Sequence, residues 1–196
     1  MPPTLTRKGE ATRDRIIRGA AEAIRENGLV STGLEQIRER TKTSQSQLFH
    51  YFPEGKSELL LAVADFEATQ ILADQRPLLD DLTSWEAWQR WSEKLVEQYE
   101  REGIHCGLSA LTSQMGADDP RAREIVATMY TEWEAALVEG LRASQDAGEI
   151  SREVEPEVAA AAIVASIQGG VQLMRSTGST RFLRAGLMTA VGSLRA

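Results

Sequence analysis

Between Pro120 and Gly148 apolar side chains recur every four residues at Ile125, Met129, Trp133, Leu137 and Leu141. That spacing lays the residues along one stripe of an α-helix, whereas a half-buried strand would need alternation with period two. Asp118 or Asp119 can cap the segment, Pro120 suits its first helical position, and Gly148 falls just past its end. A long helix with one apolar stripe must bury it, and no stretch elsewhere sustains an alternation of β-branched residues that would supply a sheet. The expected fold is therefore all-α.

The same reading along the chain of 196 residues predicts about nine helices. The first spans about Gly9 to Asn27, with Ile16, Ile17, Ala20, Ala21 and Ile24 on one face and Gly28 as its stop. Short helices follow near Gly33 to Arg40 and Ser44 to His50, closed off by Pro53, which biases its predecessor away from helix. Longer helices are predicted at 56–75, 84–102, 105–116, 120–147, 155–176 and 180–195. The short trio defines a domain at 1–55. The remainder, 56–196, forms a larger helical domain entered through the continuous helix after Lys56, since no repeat or low-complexity linker intervenes.

Charge divides the chain in the same place. The net charge is −7, yet residues 1–60 hold ten Lys and Arg against eight Asp and Glu, while the rest hold twelve against twenty-one. A weakly basic head on an acidic body allows a small surface that meets phosphate. Cys106 is the single cysteine, which excludes an intramolecular disulfide framework, and the first residues carry no apolar leader, so a reducing cytoplasm is expected. The most apolar window, Val158 to Met174, is interrupted by Ser166, Gln168, Gly169 and Gly170 and reads as a packed helix rather than a membrane span.

Catalysis finds little support. His50 and His105 are the only histidines, and His105 and Cys106 would point about 100° apart on one helix, so they form no dyad. Two His and one Cys cannot supply the usual zinc spacing, and there is no glycine-rich phosphate loop. No catalytic residue, metal or cofactor is expected.

The informative stretch is Thr32 to Lys56, TGLEQIRERTKTSQSQLFHYFPEGK. Two short helices are separated by about three residues, with Leu34 and Ile37 on the first and Leu48 with Phe52 on the second as inward anchors. The second then presents Gln45, Ser46, Gln47, Phe49 and His50 outward, on a face that can lie in a major groove. A Gln amide can pair bidentately with adenine and an aromatic ring can touch a thymine methyl. Thr32, Lys42, Thr43, Ser44 and Lys56 are candidates for positioning the protein on phosphates, Lys56 at a helix start where free N–H groups also favour an anion, and Tyr51 is a further DNA-binding candidate. Spacing alone leaves open a plain pair of packing helices with a solvated face.

The stretch from Thr12 to Leu61 resembles the DNA-binding domain of the TetR family of bacterial transcriptional regulators. TRDRII at Thr12 to Ile17 looks like the start of that family's first helix, and Gly28, Thr32 and Ile37 stand where the family has Gly, Thr and Ile. SQSQLFHYF at Ser44 to Phe52 resembles its Ser-x-Gly-x-Leu-Tyr-x-x-Phe signature, and PEGKSELL is similar to the form in the branch of LmrA/YxaF-like regulators. Ser46 replaces the usual Gly, Phe49 the usual Tyr and Lys42 a turn glycine, so a positive φ at that turn would strain the lysine. Arg38 stands where the family prefers a small apolar residue. The resemblance implies a helix-turn-helix head that binds double-stranded operator DNA, and a C-terminal domain that dimerises and holds a ligand.

In that C-terminal domain the residues speak alone. Ala161, Ala165 and Gly169 in one helix, with Phe182, Leu187 and Val191 in the next, look like half of a four-helix homodimer seam, although an intrachain core pair would use the same pattern. Trp88, Trp91, Met115, Met129, Trp133 and Met174 offer an adaptable aromatic lining for a mostly apolar small-molecule effector, and equally suit a core. Cys106 reads either as a thiol sensor near a helix start or as a small buried apolar residue. The helix from Lys56 through Leu59, Leu60, Val63 and Phe66 is placed to report effector binding to the head. The leading expectation is a ligand-responsive repressor on a palindromic operator. The alternatives are a constitutive or thiol-responsive DNA binder, and an all-helical small-molecule enzyme or binding protein with a vestigial head.

Overall fold

The computed structural model describes residues 6–102 and 119–195, and every regular element among them is helical. Eight α-helices occur there: α1 (Arg7–Asn27), α2 (Leu34–Thr41), α3 (Gln45–Tyr51), α4 (Lys56–Gln75), α5 (Trp85–Glu102), α6 (Pro120–Asp146), α7 (Pro156–Thr177) and α8 (Arg181–Gly192). The all-α expectation holds. The helix expected at 105–116 lies outside the described residues. The last helix ends earlier than expected, passing at Ser193 into a 3-10 turn, and a second such turn at Leu79–Asp81 adds an element that periodicity did not show.

Local chemistry sets the helix ends. Thr6 Oγ1 accepts from Gly9 N at 3.2 Å to open α1. Asp119 Oδ1 accepts from Arg121 N at 2.9 Å ahead of Pro120 at the start of α6, as the sequence predicts. Gly178 ends α7 at φ +70, a conformation that costs a side chain strain but glycine nothing.

Contacts divide the chain into two compact units: residues 1–70 with 105–126, and residues 71–104 with 127–196. The division falls inside α4, after Gln70, and inside α6, after Val126. In the first unit Ile16, Ile17, Ala20, Ile24, Ile37, Phe52, Leu59 and Val63 form a core, with Ile125 of α6 partly buried against it. A Cβ on Gly19 would lie 2.4 Å from Thr41 Cγ2, so only glycine lets α1 approach α2 this closely. Across the same pair Arg40 donates to Glu26 Oε2 at 2.6 Å and to Glu22 Oε2 at 3.2 Å. The Arg40 hydrogen bond holds the Glu26 carboxyl below its ordinary range.

In the second unit the core runs through Leu79, Leu82, Trp88, Trp91, Leu95, Trp133, Leu137 and Leu141, all buried. α7 and α8 form an antiparallel pair whose backbones nearly touch: a Cβ on Gly170 would sit 2.4 Å from Leu183 Cα. By length and composition α7 could cross a membrane, with 33% of its apolar window buried inside the chain. Its inward face, Ile163, Ile167, Val171 and Met174, is buried within the chain, which leaves a second apolar face outward.

Candidate nucleic-acid interface and effector site

α3 is only seven residues long, too short to be stable alone, so its position rests on anchors and a cap. Leu48 and Phe52 are fully buried, with Ile37 as the buried anchor on α2. Ser44 Oγ accepts from Gln47 N at 3.2 Å, and Gln47 Oε1 accepts from Ser44 N at 3.3 Å, a reciprocal capping box that fixes where the helix begins. These constraints leave Gln45, Ser46, Gln47, Phe49 and His50 exposed together, Phe49 at 42%.

The two glutamines are not equivalent. Gln47 commits its amide oxygen to the cap, whereas Gln45 has no side-chain hydrogen bond among the described residues and keeps both ends of its amide. Bidentate pairing to adenine needs both ends, so Gln45 is the better placed of the two.

Two of the expected phosphate contacts need correction. Thr32 is buried, its hydroxyl bonded to Gly28 O at 2.7 Å and Ala23 O at 3.2 Å, so it closes the end of α1. Thr43 is also buried, its Oγ1 bonding Thr41 Oγ1 and Thr41 O inside the turn. Tyr51 lies partly against the head core and meets His50 edge-on, with ring centroids 5.0 Å apart. Ser44, with its hydroxyl near Ser46 Oγ at 3.0 Å, stays exposed.

Lys42 adopts φ +48, ψ +47, the only non-glycine residue at positive φ among those described. The strain expected there is present, at a cost of about 1 kcal/mol. The side chain is exposed and has no ion pair among the described residues. One helical turn earlier Arg38 is half-buried, its Nε enclosed without a partner among the described residues, and both line a groove of about 260 Å³ that Ser44 also lines. Lys56 begins α4 and also carries no ion pair among the described residues, while Glu58 Oε2 accepts from Glu54 N at 3.0 Å and Arg121 reaches Glu54 at 3.2 Å.

Sequence reasoning did not assign Arg15 and Arg18. Both are exposed on α1 and, with Lys42, line a second groove of about 560 Å³ that also takes in Asp14 and Glu22. The available signal was positive charge on the face of α1 opposite Ile16, Ile17 and Ile24.

The effector candidates that fall within the described residues, Trp88, Trp91, Met129, Trp133 and Met174, are all buried. Cys106 and Met115 lie outside the described residues. Trp88 and Trp91 meet edge to face with centroids 5.9 Å apart, and their indole N–H groups have dedicated acceptors: Ser144 Oγ at 2.9 Å and Gln75 Oε1 at 3.1 Å. Trp133 Nε1 is buried with no hydrogen-bond partner among the described residues. An orphaned buried donor costs about 1–3 kcal/mol, so the three indoles differ in kind.

The expected dimer residues also separate. Ala161, Ala165 and Gly169 lie exposed along the outward face of α7, and Val158 and Leu173 extend that face with large apolar side chains 63% and 45% exposed. Leu187 and Val191 are buried inside the chain, on the face of α8 that also holds Leu183, so they belong to the intrachain core rather than to a seam. Phe182 is half-buried, with the Arg181 guanidinium 4.7 Å from its ring centroid. No group of three or more potential metal ligands occurs among the described residues.

A capped recognition-type helix, a preceding helix at a three-residue turn and a core that holds both define a helix-turn-helix regulator. Residues 16–63 match the model for bacterial regulatory proteins of the tetR family, and residues 83–189 match the tetracyclin repressor-like C-terminal domain. The chain belongs to the TetR family of transcriptional regulators. It is 25% identical over 174 residues to the HTH-type transcriptional regulator YxaF of Bacillus subtilis (strain 168), covering 86% of this chain and 87% of that one. LmrA, another HTH-type transcriptional regulator of that strain, is 28% identical over 169 residues, covering 83% and 85%. The crystal structure of regulatory protein TetR from Rhodobacter sphaeroides shares the fold with a TM-score of 0.76 at 20% identity, over 92% of this chain and 97% of that one.

Proposed function

We propose that the chain is a ligand-released repressor that binds a palindromic operator as a homodimer. The observation that carries the DNA-binding part is the exposed polar face of α3, held by buried Leu48 and Phe52 and by the Ser44–Gln47 cap. In this reading Gln45 reads a base edge, Phe49 meets an apolar base surface, and Ser44, Ser46, His50, Lys42 and Lys56 set the register on phosphates. A two-fold operator calls for a two-fold protein, and the outward α7 face of Val158, Ala161, Ala165, Gly169 and Leu173 is the surface we assign to a second copy. Small residues there allow close helix approach.

The second unit is the proposed effector domain, in keeping with a family that binds small molecules. α4, continuous from Lys56 to Gln75, is the proposed reporter, because Lys56 stands at the DNA end while Gln75 holds Trp91. Release requires the effector to favour the DNA-incompetent state, and linkage then makes operator DNA weaken effector binding by the same factor.

Selecting bound duplexes from genomic fragments tests the reading: one palindromic site should be enriched, with affinity that falls steeply as salt rises. Equal affinity for the recovered site and for random duplex would remove the base-reading assignment. Ala165→Glu should turn a dimer into a folded monomer in light scattering, since Ala165 is exposed in the single protomer. A native protein that scatters as a monomer at operator-binding concentration would remove the homodimer.

A further inference from the structure

We propose that Trp133 Nε1 donates a hydrogen bond to the effector, and that the effector is an uncharged, mostly apolar molecule bearing a carbonyl-type acceptor. This rests on the reading of the second unit as an effector domain.

The inference comes from how the unit treats its other buried polar groups. Gln75 Oε1 accepts from Trp91 while its Nε2 donates to Ile71 O at 3.0 Å. Ser92 Oγ donates to Trp88 O at 2.7 Å. Ser144 Oγ accepts from Trp88 Nε1 and donates to Leu82 O at 2.7 Å, so one hydroxyl serves two partners. Against that pattern Trp133, 0% exposed, holds the single enclosed side-chain nitrogen or oxygen in this unit, among the described residues, that has no partner. Buried donors in folded proteins are satisfied with few exceptions, and an exception of this kind calls for an acceptor that the described residues do not supply.

The surroundings set the acceptor's chemistry. One helical turn to either side of Trp133 stand Met129 and Leu137, both buried, so the donor sits in an apolar stripe of α6. Among the described residues of the unit no Lys, Arg or His is buried, and a carboxylate or phosphate brought there would be desolvated without a countercharge. A neutral oxygen, as in a ketone, ester or amide, satisfies the indole N–H without that cost.

The test uses full-length protein labelled with 15N, with the indole resonances assigned from Trp88→Phe, Trp91→Phe and Trp133→Phe. Two matched pairs serve as probes: acetophenone with α-methylstyrene, and 2-acetylnaphthalene with 2-isopropenylnaphthalene. Each pair exchanges a carbonyl oxygen for a methylene at nearly constant shape. At least one ketone should move the Trp133 N–H resonance downfield and bind about five- to tenfold more tightly than its alkene, the worth of one hydrogen bond. Trp133→Phe should bind both members of that pair equally.

Equal affinity of ketone and alkene for the native protein overturns the proposal, as does a ketone preference that survives in Trp133→Phe. A Trp133 N–H that resonates as hydrogen-bonded in the free protein and stays unmoved by either ketone marks a trapped water as its acceptor, and also overturns it. The shift and the ketone–alkene ratio are both read on native protein, so they decide the question even where Trp133→Phe fails to fold. Binding of neither pair overturns the ligand class, whereas the effector reading itself stands or falls on operator release.

Discussion

The head and the C-terminal unit put their candidate functional residues on opposite sides of the surface. In the head, Gln45, Ser46 and His50 are exposed and polar, and the residues that hold them, Leu48 and Phe52, are buried and apolar. On α3 polarity separates most of the contact face from the scaffold, with the exposed Phe49 as the exception. In the C-terminal unit Trp88, Trp91, Met129, Trp133 and Met174 are all buried, and a pocket for an apolar molecule uses the same residue types as a core. Only hydrogen bonding divides them: two indoles are tied to Ser144 and Gln75, and the third is not. A site facing water can be read from polarity, while a site facing inward is read from what the interior leaves unpaired.

The largest effect is expected from removing an anchor in the head. Leu48→Ala should cost about 2–5 kcal/mol, because the side chain is fully buried and α3 is too short to hold its place without it. Urea unfolding should show that loss together with loss of operator binding. A variant that unfolds like the native protein would mean that α3 is not held through this contact.

Residues outside the cap, the exposed Gln45 and the half-buried Lys56, should behave in the opposite way, changing binding and sparing stability. Gln45→Ala should cost about 1–3 kcal/mol at one base position of each half-site, and Gln47→Ala less, since the Gln47 oxygen is committed to the cap. Lys56→Ala should weaken all sequences alike and flatten the salt dependence. Substituted operators in a binding titration separate these outcomes, and a larger base-specific loss at Gln47 than at Gln45 would reverse the assignment.

The contrast between the two units also explains how far the sequence could be read. Helix order and the capped start of α6 follow from periodicity, Asp119 and Pro120, which are local signals. Helix faces were harder. Leu187 and Val191 suit a seam as well as a core until Gly170 brings the α7 backbone against Leu183 and places that side of α8 inside the protomer. Thr32 and Thr43 are polar and lie beside the motif, yet their hydroxyls close a helix end and a turn. For such small side chains the direction of the hydroxyl depends on backbone geometry that composition does not carry.

The paired and unpaired indoles predict a smaller effect. Trp88→Phe and Trp133→Phe remove similar buried volume, but only the first strips an acceptor, Ser144 Oγ, of its donor. Trp88→Phe should therefore cost about 1–2 kcal/mol more than Trp133→Phe in denaturant unfolding without ligand. Equal losses would show that hydrogen bonding does not set the two apart.

Smaller still is the effect expected at the one place where the head bears strain on its surface. At φ +48 the Lys42 backbone is in a region that disfavours any residue with a Cβ, and nothing in the side chain's own contacts compensates. Lys42→Gly removes that strain but gives the unfolded chain more freedom, so the net gain should be about 0.5–1 kcal/mol, or roughly 2 °C in Tm. Lys42→Ala keeps the Cβ and should leave stability unchanged, which separates strain from charge. Both variants lose the ammonium beside Ser44, so both should bind operator more weakly and with a shallower salt dependence than the native protein. Thermal unfolding and salt titration of the three proteins decide the matter in two steps. If Lys42→Gly and Lys42→Ala melt together, the left-handed turn is not strained. If both bind DNA as the native protein does, the strained residue holds no phosphate, and Lys56 with the α3 face must supply the positioning contacts.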